Sequence, residues 1–146
     1  MPVIVIGADT EPGEAVLQGL AEPNREIRVF VSDEQAGVRM KSNGFRVAIG
    51  DVSDESHIEA AATRCFTAIL IGAAATDDRE RAFLDEPPEI MKAWARASLA
   101  SVVTRVIWIT NHDPPQTETR EVATVRPDDP DLVKRVVELD DAQAIR

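Results

Sequence analysis

The chain contains no tyrosine, one cysteine and two histidines. Without tyrosine it has no phenolic general acid, and Cys65 alone allows neither an internal disulfide nor a cysteine-based metal cluster. His57 and His112 stand 55 positions apart (112 − 57) with no thiolate partners, so no metal site is expected. Long apolar runs are also missing. The longest, Ala68 to Ala75, is far too short to cross a bilayer. Met1-Pro2 leads straight into an apolar segment without a basic region, and a cytoplasmic location is expected. Positive charge is scarce: 16 Lys and Arg against 26 Asp and Glu leave a net charge of −10, which opposes binding to nucleic acid or an anionic membrane.

What is present is enough for one domain, 146 residues of which 44% are hydrophobic. The chain is organised around Val3-Ile4-Val5-Ile6 and the turn Gly7-Ala8-Asp9-Thr10-Glu11-Pro12-Gly13, followed by the helical run Glu14 to Leu20. Four apolar residues feeding a glycine-bounded turn and a helix read as a buried parallel strand and the first crossover of a nucleotide-binding unit. Unpaired amides at a helix start, with the positive end of its dipole, seat a phosphate. Gly7, Asp9, Thr10 and Gly13 are therefore candidate cofactor contacts. The pattern G-x-G-x-x-G asks for glycine where Asp9 stands. Asp9 and Glu11 either flank a bound pyrophosphate or cap the helix themselves and take the anion's place.

A second strand, Ile27 to Val31, ends at Ser32-Asp33. Asp33 follows Gly13 by twenty residues (33 − 13), the spacing of a strand-end acid that accepts from a ribose; it reads equally as the N-cap of a helix over Glu34 to Ser42. Asn43-Gly44 closes that helix, Phe45 to Ile49 is a third strand, and Ser53 to Ser56 opens a helix through Cys65, a small buried residue in this reading. Ala68 to Gly72 is a central, fully apolar strand. A charged loop, Asp77 to Asp85, precedes a helix from Pro88 to about Ser101 with Ile90, Met91, Trp94, Ala97 and Leu99 inward. Arg105 to Thr110 is a fifth strand, Val122 to Arg126 a sixth, and Asp129-Pro130 starts a short helix through about Val137. Strands and helices alternating at this pitch predict an α/β fold, a doubly wound Rossmann-like parallel sheet of about six strands in a three-layer α/β/α arrangement.

The same residues resemble the atypical, or extended, short-chain dehydrogenase/reductases, the NmrA-like proteins among them. That family opens with G-A-T-G-x-x-G, against Gly7-Ala8-Asp9-Thr10-Glu11-Pro12-Gly13, where the outer glycines match and the inner one does not. Its third strand ends in G-D-hydrophobic-x-D, matched by Gly50-Asp51-Val52-Ser53-Asp54, which makes Asp51 and Val52 adenine candidates by resemblance. Gly72-Ala73-Ala74 corresponds to the small residues beneath the nicotinamide ribose, and Glu89 to Thr110 matches the following helix and strand. Beyond Thr110 the family continues with a Y-x-x-x-K pair and a substrate domain that have no counterpart here. The resemblance thus implies one NAD(P)-binding domain over residues 1–146 with the substrate domain missing. NADPH-preferring relatives carry an arginine near the end of strand two; here Ser32 and Asp33 stand there, and NAD(H) is expected over NADP(H).

The family's chemistry needs a phenol, a lysine and a Ser or Thr. Thr110 supplies the last, while Lys41, Lys92 and Lys134 match no family position. His112 with Asp113, at the carboxyl end of strand five, is the remaining acid/base candidate, and the same residues form an ordinary strand-ending turn. Two functions stay open: a noncatalytic dinucleotide-binding or redox-sensing module, and a degenerate Rossmann domain that binds no nucleotide and serves protein-protein interaction. An enzyme completed by a partner chain is a third. A homodimer through the sixth-strand edge or the Trp94 helix is compatible with each.

Overall fold

In a computed structural model, which describes residues 1–145, six strands form one parallel sheet: β1 (Val3–Ile6), β2 (Ile27–Val31), β3 (Arg46–Ile49), β4 (Thr67–Ile71), β5 (Arg105–Ile109) and β6 (Glu121–Val125). Their order is β3-β2-β1-β4-β5-β6. β1 is wholly buried between two neighbours, with Val5 opposite Val29 on one side and Ile69 on the other. The order reverses between β1 and β4, and that reversal leaves a crevice at the carboxyl ends of these strands.

Alternation of side chains along each strand divides the core between two faces. Ile4 and Ile6 point to the side covered by α3 (Glu55–Ala62), α4 (Ala73–Thr76) and α5 (Pro87–Ala100), where Trp94 and Trp108 stack at 6.5 Å. Val3 and Val5 point to α1 (Glu11–Leu20), α2 (Glu34–Ser42) and α6 (Leu132–Asp141).

The six expected strands and the three-layer arrangement are all present, and the differences are the short additional helix α4 after β4 and the ends of other helices. Thr10, rather than Asp9 or Glu11, caps α1: its hydroxyl accepts from the Gly13 amide at 3.0 Å and donates to the Gly7 carbonyl at 2.7 Å. α3 stops at Ala62, so Cys65 is buried in the turn before β4 rather than in the helix. Leu99 is half-exposed, on the side of the helix away from the face that buries Ile90, Trp94 and Ala97. α6 begins at Leu132 and runs to Asp141, later and longer than the sequence suggests, because charges fix its far end.

Those charges are arginines. Arg105, fully buried at the start of β5, donates to Glu121 at 3.3 and 3.2 Å and to the Leu139 and Asp140 carbonyls at 2.7 and 3.0 Å. Its guanidinium also lies 5.1 Å from the centroid of the Phe66 ring. Arg25 pairs with Asp140 at 3.1 Å and with Asp141. Cations at the carboxyl end of a helix are favoured by its dipole, and here they draw α6 onto the sheet. Removing one partner of a buried pair leaves the other charge uncompensated, at about 3–5 kcal/mol. Arg105→Ala should accordingly lower the melting temperature by about 10 °C or more, read by scanning calorimetry; a fall under about 3 °C would contradict this role.

Candidate functional site

The edge at the switch point is built on close approaches that only glycine permits. Gly7 leaves β1 at φ +89°, and a Cβ on it would lie 2.8 Å from the Cβ of Ala74. A Cβ on Gly13 would lie 2.3 Å from the Gly7 carbonyl oxygen. The turn therefore closes tightly on both α1 and the start of α4, with Ala74 buried behind it.

Asp9 turns away from α1. Its carboxylate, 6% exposed, accepts from the amides of Ser32 and Asp33 at 2.9 and 3.1 Å and from Arg79 at 3.0 Å. Arg79 also donates to the Ser32 hydroxyl at 3.1 Å and holds both oxygens of Asp77 at 2.8 Å. Burial tends to raise the Asp77 carboxyl, but the Arg79 hydrogen bonds and charge, aided by Arg81, outweigh it and hold the group below its ordinary range. Asp33 caps α2 through the Ala36 amide at 3.2 Å.

Asp51 completes the network beyond β3. It accepts from the Ser53 amide and hydroxyl at 2.8 and 2.6 Å and from the Ala82 amide at 2.7 Å, while the Ser53 hydroxyl accepts from the Phe83 amide at 3.1 Å. Val52, by contrast, is fully buried, its carbonyl accepting from the Trp94 indole at 2.8 Å, so its side chain belongs to the core. Segment 77–86 thus lies across the carboxyl ends of β1, β2 and β3.

Beyond the switch point the edge is open. A cavity of about 440 Å³ has Gly72 and Ala73 as its floor, Met91 and Ile109 as apolar walls, and Pro12 and Pro127 at its rim. Thr110 and His112 line it as well, the Thr110 hydroxyl accepting from the His112 amide at 3.2 Å. Lys92 also lines the cavity, half-exposed and paired with Glu89 at 3.3 Å. His57 packs edge-on against Phe30 at 4.9 Å instead. Among the described residues no cluster of His, Cys, Asp or Glu is arranged to hold a metal ion.

The residues singled out from the sequence therefore fall into three groups. Asp9, Ser32, Asp33 and Asp51 form or flank one polar network; Gly72, Ala73, Thr110 and His112 line the cavity; Gly7, Thr10 and Gly13 build the turn between them, with Val52 and Ala74 buried beneath. Arg79 and Arg81 escaped the sequence reading. The charged loop was visible, but Arg79 lies 70 and 47 positions from the partners it meets at Asp9 and Ser32.

Burial pushes the Asp51 carboxyl up, yet the hydrogen bonds from Ser53 and Ala82 and the Arg81 charge prevail and lower its pKa. A depressed folded-state pKa gives stability that is present above the unfolded value, about 3.9, and is lost as pH falls through the folded value. The stability difference between the wild type and Asp51→Asn should hold from pH 7 to about 5 and shrink below about 4, as read by urea unfolding. A difference that does not vary with pH would refute the assignment.

No protein-family model and no curated protein matches the chain. Solved structures do. An anaerobillin reductase from Escherichia coli O157:H7 aligns over 99% of this chain and 92% of its own, with a TM-score of 0.72 and 14% identity. The Citrobacter sp. triphenylmethane reductase complexed with NADP(H) aligns over 75% of this chain and 37% of its own, at 0.62 and 17%. A short-chain dehydrogenase/reductase superfamily protein from Agrobacterium tumefaciens with bound NAD aligns over 75% and 32%, at 0.57 and 16%. The chain spans about a third of the length of these last two. At such identities the fold is what is shared, and it is the Rossmann-like fold of NAD(P)-dependent reductases resembling the short-chain dehydrogenases.

Proposed function

We propose that this chain is a pyridine-dinucleotide-binding module, preferring NAD(H), that reports the ligand rather than reducing a substrate. The observation that carries the reading is the cavity at the switch point, beside the Gly7 to Gly13 turn, where parallel α/β sheets place their ligands. Thr110 and His112 meet there without a phenol, and Lys92 is turned to Glu89. A bound nicotinamide accordingly meets His112 and Thr110 but not the phenol that the resembled family uses as proton donor. The preference for NAD(H) follows from charge. Asp9, Asp33 and Asp77 surround the end of β2, and the Arg79 guanidinium among them is already neutralised by two carboxylates. In this reading residues 1–146 work as one binding domain.

A second reading, a protein-interaction domain that binds no nucleotide, draws support from Asp9 and Asp51, whose acceptor sites already hold amides of the chain itself. The two separate in a thermal-shift titration with NAD⁺, NADH, NADP⁺ and NADPH. A ligand at a hundred times its Kd stabilises the fold by about 2.7 kcal/mol, several degrees at this size. A shift with NAD(H) that is lost in Ala73→Phe, which fills the cavity floor, supports the binding module; no shift with any of the four supports the second reading. Asp77→Asn, which releases part of the Arg79 charge, should move the NADP⁺/NAD⁺ preference toward NADP⁺ by about threefold, the scale of a partly exposed ion pair. An unchanged ratio would remove Asp77 from the account of preference.

A further inference from the structure

A Rossmann sheet binds a dinucleotide as two mononucleotide halves on either side of the switch point, one over β1 to β3 and one over β4 to β6. In this chain the halves differ. Over β4 and β5 lies the open cavity, within the range of about 300–1,000 Å³ usual for small-molecule sites. Over β1 to β3 the chain occupies its own site. Arg79 fills the space between Asp9 and Ser32, the Ala82 amide takes Asp51, and the Phe83 amide takes Ser53. Arg81 fastens the same segment to the Ala74 carbonyl at 2.6 Å and braces it internally through Asp77 at 2.9 Å.

The way the segment is held makes it displaceable. No residue of 77–86 is fully buried, and Phe83, its largest apolar side chain, is 63% exposed. Apart from partial packing of Leu84 on the core, the contacts that fix it are ion pairs and hydrogen bonds of the kind a nucleoside and its phosphates also make.

We infer that, with segment 77–86 in place, the site takes a mononucleotide-sized ligand over β4 and β5, of the chemical class of nicotinamide mononucleotide, and that a dinucleotide or an adenosine nucleotide binds only by displacing the segment. This rests on the reading of the chain as a pyridine-nucleotide-binding module. For a ligand that needs the open arrangement, the apparent Kd is the intrinsic value divided by the open fraction. Loosening the segment therefore tightens NAD⁺ and adenosine nucleotides and leaves the mononucleotide alone.

Isothermal titration of the full chain with nicotinamide mononucleotide, AMP and NAD⁺ tests this, with two variants first shown by thermal unfolding to be folded. Ala82→Pro removes the amide given to Asp51, and Arg81→Ala releases the segment from the Ala74 carbonyl while leaving the hydrogen bonds to Asp9 and Asp51 in place. The wild type should bind the mononucleotide and give no heat with AMP. Each folded variant should bind NAD⁺ about tenfold more tightly, as expected for an open fraction raised by that factor, and should gain AMP binding while its mononucleotide affinity stays within about twofold. Wild type that binds AMP as well as or better than the mononucleotide overturns the inference and leaves the binding module standing, as does NAD⁺ affinity unchanged in the folded variants. Failure of all three ligands with every protein overturns both.

Discussion

One carboxylate organises the ligand edge. Asp9 stands where glycine would give a pyrophosphate room, and it is almost fully buried. A buried charge carries a desolvation cost of several kcal/mol unless donors surround it. Here three converge: the amides of Ser32 and Asp33 just after β2, and the guanidinium of Arg79 from the loop after α4. Because Arg79 belongs to the connection between β4 and α5, satisfying Asp9 brings that connection across the ends of β1 and β2. The Asp51 and Ser53 contacts extend the same covering to β3.

The opposite edge is built differently. There Arg105 and Arg25 fasten the end of α6 through fully or nearly fully buried guanidinium groups, and the tail packs on α1, where Gly19 leaves room for Val133. Buried pairs with their hydrogen-bonding capacity satisfied hold structure; partly exposed loops with polar contacts open locally. The chain thus combines a sheet locked at its amino-terminal edge with a ligand edge whose covering can move. Only the half of that edge over β4 and β5 stands clear, and it offers apolar walls with Thr110, His112 and Asp113 among its polar groups.

Much of the fold was legible because its strands are runs of apolar, mostly β-branched residues, flanked by turn residues with fixed meanings. The start of α1 was not. Asp9, Thr10 and Glu11 are consecutive polar residues, of which Asp and Thr are both good caps, and the choice falls to Thr10 because Asp9 is drawn to β2. Asp33 illustrates a different limit: one side chain fits both a ribose contact and a helix cap, and here it caps α2. Val52 matched a motif by position, yet the alternation of strand and turn sends it into the core beneath Trp94. The cavity draws Pro12, Met91 and Pro127 from three distant stretches, and the Asp9–Arg79 pair spans 70 residues. No local pattern encodes either.

Amide hydrogen exchange, followed residue by residue in the ligand-free protein and again with saturating NAD⁺, tests the central claim most directly. Ser32, Asp33 and Ala82 donate their amides to buried or partly buried carboxylates, so all three should be protected without ligand. With NAD⁺ bound, protection at Ala82 should be lost as the segment is displaced. Rapid exchange of Ala82 in the ligand-free protein, or protection there that NAD⁺ leaves intact, would contradict the claim that the chain occupies half of its own nucleotide site.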